Sequence, residues 1–175
     1  MMQRRLITLI LLAGIAMPAS ACLLFNRYKY FAPSVPETFQ WDHAKLDPSI
    51  PKPVLTLERI KRLPFIPADY RQRIEGCKSG TVALRVHWPQ DAPYKLKDVG
   101  FRFKSLPDIG LPFEEEPIFV EPDGDTMLFE FDLFELPDAT RDELVLDIEV
   151  YAVNARHERG LASKYVFRAP VAKPD

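Results

Sequence analysis

Glycine, histidine and cysteine are all scarce in this 175-residue chain, at seven, three and two residues. So few glycines leave no glycine-rich loop of the kind that cradles phosphates. His43, His87 and His157 fall in no His-x-x-x-His pattern and the cysteines in no Cys-x-x-Cys pattern, so zinc-type ligand spacing is missing. No serine occupies a Gly-x-Ser-x-Gly elbow. Clustered positive charge is also lacking: 23 basic residues stand against 25 acidic ones, which argues against a broad nucleic-acid footprint. The longest apolar run, Leu6 to Met17, falls short of the ~20 residues that a membrane-spanning helix requires.

That short run is nonetheless the clearest signal in the chain. Arg4 and Arg5 precede it, Pro18 breaks it, and Ala19-Ser20-Ala21 follows directly before Cys22. A basic start, an apolar middle and a small-residue cleavage site form an export signal. Two processing routes compete at its end. In one, Ala19-Ser20-Ala21-Cys22 is a lipobox, and the Cys22 thiol carries a diacylglycerol through a thioether. The protein is then attached to a membrane by that lipid, and Cys77 remains a lone, structural thiol. In the other, Ala19 and Ala21 are read by the general signal peptidase, and Cys22 is free to bond to Cys77 in an oxidising compartment. In the chain-entropy view a loop of that length stabilises a fold by ~4 kcal/mol. Leu23 follows Cys22, and by resemblance to Gram-negative lipoproteins the absence of Asp there implies the outer membrane, facing the periplasm. The second route implies a soluble periplasmic or secreted chain. Either way the expectation is an exported protein. Removing residues 1–21 takes Arg4 and Arg5 with it and leaves 154 residues of net charge −4.

Organisation follows from proline and from periodicity. Residues 22–53 carry Pro33, Pro36, Pro48, Pro51 and Pro53 with no sustained period between them, and read as a proline-rich tether. Phe31, Phe39 and Trp41 are costly to leave in water, so part of this stretch is expected to pack on the domain. From 54 to 170 the chain alternates. Val82, Leu84, Val86 and Trp88 oppose Ala83, Arg85 and His87. Val99, Phe101 and Phe103 oppose Gly100, Arg102 and Lys104, and Phe129, Phe131 and Leu133 oppose Glu130 and Asp132. Leu144, Leu146, Ile148, Val150 and Ala152 make a further face, Val54 to Ile60 reads as an earlier strand, and Tyr165 and Phe167 point inward from the last. Period-two patterning over short runs separated by Pro, Gly and Asp turns marks half-buried strands. About seven such strands predict an all-β fold, an immunoglobulin- or fibronectin-like antiparallel sandwich, ending in a short tail at 171–175.

Short motifs carry a resemblance. Cys77-Lys78-Ser79-Gly80-Thr81-Val82-Ala83-Leu84, Gly100-Phe101-Arg102-Phe103 and Val150-Tyr151-Ala152-Val153-Asn154 with Gly160 and Ser163 are similar to strands of poorly characterised bacterial envelope proteins with a fibronectin type III or immunoglobulin-like sandwich. The resemblance covers roughly residues 54–168 and implies a fold and a compartment, with no activity. The chain departs from that group at Ala155 to Arg159, which lengthens a turn, and at Asn154, where Asp is expected.

Few residues offer chemistry. His87 on a polar strand face and His157 in a charged turn read as solvated surface residues. The neighbours Asp42 and His43 seldom make a site by adjacency alone. Glu114-Glu115-Glu116 and Glu121-Pro122-Asp123-Gly124-Asp125 supply oxygen ligands without the order of a calcium loop, and Asp-Gly is also a hairpin turn. Trp41, Tyr70, Tyr94 and Tyr151 are candidates for a stacking platform. The expectation is therefore a non-enzymatic envelope (lipo)protein without catalytic residues, metal or cofactor, acting on an envelope protein partner through sheet edges or end loops. The alternative is a module that binds envelope glycans through those aromatics.

Overall fold

The computed structural model describes residues 27–31, 35–36, 38–62, 80–106, 113–133 and 142–171. Cys22, Cys77 and Tyr70, and with them the expected export signal, lie outside the described residues. Eight strands are formed among those described: β1 (Lys29–Tyr30), β2 (Val54–Lys61), β3 (Gly80–His87), β4 (Val99–Ser105), β5 (Ile118–Phe119), β6 (Thr126–Leu133), β7 (Leu144–Asn154) and β8 (Ser163–Ala169). Short 3-10 turns at Trp41–His43 and Leu96–Asp98 are the described helical elements. The strands make two antiparallel sheets, β1-β5-β4-β7-β8 and β2-β3-β6. The chain changes sheet between β3 and β4, returns between β5 and β6, and changes again into β7. This is an all-β sandwich, as the alternation predicts.

The alternating side chains meet between the sheets. Val82, Leu84 and Val86 from β3, Met127, Phe129, Phe131 and Leu133 from β6, Phe101 and Phe103 from β4, and Leu146, Ile148, Val150 and Ala152 from β7 are all buried in one cluster. Phe103 bridges the layers, with ring centroids 5.0 Å from Phe129 and 5.2 Å from Phe131, both edge-on. Such pairs contribute about 0.5–1.5 kcal/mol each beyond the area they bury. Trp88 closes one end edge-on to Phe101, and its indole N–H donates to the Tyr94 carbonyl at 2.8 Å. Beyond β5, the Asp123 and Thr126 backbones exchange hydrogen bonds around Gly124, whose φ of +62° suits a glycine-led turn. Asp-Gly therefore serves as a turn.

Much of the stretch read as a tether is docked. β1 pairs with β5 at Lys29↔Phe119 and Tyr30↔Ile118, and Trp41, Ala44 and Ile50 are buried. Gly100 lets the arm lie flat, because a methyl group there would run into the Phe31 side chain. The physical cause is the one that the aromatics foreshadow: Phe31, Phe39 and Trp41 leave water by covering the outer face of the five-stranded sheet.

Candidate functional site

The face beneath that arm gathers several of the residues singled out in the sequence. Trp41, Tyr151 and Val153 form a second buried cluster, with Phe31, Val35 and Phe39 packed against it. Tyr151 points away from the inter-sheet core but is only 1% exposed, because the arm lies over it. Its hydroxyl donates to Asp42 Oδ1 at 2.8 Å, and Lys104 Nζ donates to Asp42 Oδ2 at 2.9 Å. Burial pushes the Tyr151 hydroxyl pKa well up, and the bond to Asp42 adds to the shift. Burial raises the Asp42 pKa too, but the hydrogen bonds from Lys104 and Tyr151 outweigh it and leave the carboxyl below its ordinary value. The Trp41 indole N–H donates to Glu116 at 2.7 Å, and the Tyr28 and Tyr30 hydroxyls donate to the two oxygens of Glu114.

These contacts assign the candidate residues to packing. Asp42 serves Tyr151 and Lys104, while His43 is exposed. Glu114 and Glu116 hold the arm, and among the described residues no group of three His, Cys, Asp or Glu is placed to hold a metal ion. His157 departs from expectation. It is half-buried, with its ring 5.9 Å from Trp41 and 5.6 Å from Phe39, because a positive φ of 61° turns it in under the arm. His87 keeps to the polar face beside Thr56 Oγ1, at 3.0 Å. Trp41 and Tyr151 are covered and so offer no stacking surface. The signal that sequence reading passed over is Val150-Tyr151-Ala152-Val153. All four residues are buried, and a run without alternation marks a strand covered on both faces.

A polar network organises the described loop end. The Tyr94 hydroxyl donates to Asp47 Oδ2 at 2.6 Å and accepts from Arg156 Nη2 at 2.8 Å and Asn154 Nδ2 at 3.3 Å. Asn154 is 2% exposed, and its Oδ1 accepts the backbone N–H of Arg156 at 2.9 Å and of Glu158 at 3.0 Å. Its amide also donates to Glu158 Oε2 at 3.0 Å, and Lys45 Nζ reaches Glu158 Oε1 at 2.8 Å. An amide here donates where an aspartate would present a second carboxylate to Glu158. That explains Asn at 154: it shapes the lengthened turn. The network closes on itself and leaves Tyr94 half-buried with its hydroxyl engaged.

The two sheets end in four edge strands, β1, β8, β2 and β6. β2 slips in register at Glu58 and presents exposed Glu58, Arg59 and Lys61, devices that blunt an edge. At β6, Arg27 pairs with Glu130 and the Tyr28 ring lies 5.9 Å from Phe131. β1 is two residues long. β8 is a regular edge of seven residues, although the flanks of β2 reach it: the Tyr165 hydroxyl donates to the Pro53 carbonyl at 3.0 Å and Arg62 Nη1 to the Pro170 carbonyl at 2.9 Å. It pairs with β7 in unbroken register from Leu144↔Ala169 to Val150↔Ser163, and among the described residues no strand pairs with its other side. Val166 stands 56% exposed at its middle. Alternate N–H and C=O groups of such a strand turn outward, open to another chain. Searches of protein-family models, curated proteins and solved structures return no match to this chain.

Proposed function

We infer that this chain is an exported, envelope-attached β-sandwich that acts by protein contact, and that β8 is its contact edge. The observation that carries the reading is the contrast in regularity among edges: β2 is bulged, β6 is approached by Arg27 and Tyr28, β1 is two residues long, and β8 runs seven residues in unbroken register. Strand addition at such an edge supplies main-chain hydrogen bonds for affinity and alternate side chains for specificity. Supporting export are the basic, apolar and small-residue segments ahead of Cys22; supporting attachment is the thiol at that position. Burial of Trp41 and Tyr151 weighs against the glycan alternative.

The test places a photo-crosslinking amino acid at Val166 and, as control, at Lys61 on the bulged edge, in cells making the full chain. A discrete protein adduct from position 166, and none from position 61, is the expected result. Adducts from neither position, or equally from both, would overturn the assignment of β8.

A further inference from the structure

What β8 accepts can be narrowed further, and the narrowing rests on the contact reading just given. One cross-strand row on the outer face of the five-stranded sheet is charged throughout. Lys104 of β4 lies opposite Glu149 of β7, and Glu149 lies opposite Lys164 of β8. Lys164 Nζ is 3.4 Å from Glu149 Oε2, and Arg168 Nη1 is 2.8 Å from Glu143 Oε2. That row reads basic, acidic, basic from β4 outward to β8, whereas Arg168 lies opposite Val145 and takes its carboxylate from Glu143, just before β7. The two outermost cations remain 66% and 61% exposed, with Val166 between them. On the inner side the Tyr165 and Phe167 rings stack in parallel, centroids 6.0 Å apart, and are half-buried at the rim.

Opposite charges across neighbouring strands stabilise and like charges destabilise, so a strand added beyond β8 is favoured where it sets carboxylates beside the exposed Lys164 and Arg168. We propose that β8 accepts an extended acidic segment of a partner protein. Its carboxylates, four residues apart, lie opposite Lys164 and Arg168; an apolar residue between them faces Val166, and apolar neighbours cover Tyr165 and Phe167. A second copy of this chain suits the edge poorly, since full-length antiparallel pairing of two β8 strands sets Lys164 against Arg168.

The experiment uses the mature chain and two short peptides, each with three valines flanked by a pair of charged residues, glutamate in one and lysine in the other. Titration calorimetry reads affinity, and amide exchange reads protection of β8. The glutamate peptide is expected to bind roughly tenfold tighter than the lysine peptide, from two cross-strand pairs changing sign, to weaken with salt and to protect β8. The pair Lys164→Gln and Arg168→Gln should erase that preference, and Lys164→Glu with Arg168→Glu should invert it. Equal binding of both peptides would overturn the acidic partner while leaving β8 a contact edge. No peptide binding beside an adduct at position 166 would overturn strand addition alone, and neither binding nor adduct would overturn both. An adduct joining two copies of this chain would replace the acidic partner with self-pairing.

Discussion

Ser49 donates to Asp47 Oδ1 from its hydroxyl at 2.5 Å and from its backbone amide at 2.9 Å, while Tyr94 donates to Oδ2. These three bonds, the Ser49 hydroxyl foremost, hold the Asp47 carboxyl at about 2 against an ordinary 3.8. A carboxyl depressed by folding stabilises the fold above its unfolded value and loses that contribution as pH falls through the folded one. Stability should therefore decline from about pH 4 towards pH 2 more steeply in the natural chain than in Asp47→Asn, as read by urea unfolding at each pH. Parallel curves for the two proteins would refute the role given to Asp47. Asn154 illustrates the same scale differently: one amide satisfies two backbone N–H groups and two side chains, so the local sequence decides the turn.

At the scale of the element, the docked arm is the feature most open to a single substitution. Gly100→Ala places a methyl group against Phe31. Overpacking of this kind costs about 1–3 kcal/mol, and here it should loosen the arm before the sandwich. Amide exchange is expected to quicken at residues 28–31 and to stay slow along β3 and β7. Uniform quickening would mean that arm and sandwich unfold as one unit. The longer strands were legible because Val82, Leu84 and Val86, or Phe129, Phe131 and Leu133, each expose one face to a core and the other to water. β1 and β5, at two residues each, are shorter than any period. The arm was legible only as a cost, three aromatics with nowhere stated to go, since its anchor points on β7 are remote in sequence. For the same reason the outermost strands could not be named from the sequence, because which strands end a sheet depends on pairing between distant segments.

At the scale of the whole molecule, the sandwich follows a segment that contains Cys22. If the lipoprotein reading holds, the mature chain from the membrane fraction carries a mass increment of diacylglycerol on Cys22, and Cys22→Ser is released or unprocessed. An unmodified mature chain in the soluble fraction would remove the anchor. Because the arm is seated from Arg27 onward, with Arg27 paired to Glu130 and Lys29 held on β5, an anchored protein has a short leash. Five peptide steps separate Cys22 from Arg27, a reach of at most about 18 Å. That is less than the breadth of a domain this size. The sandwich would then graze its membrane rather than range from it, and its search for a partner would be confined to what shares or touches the same surface.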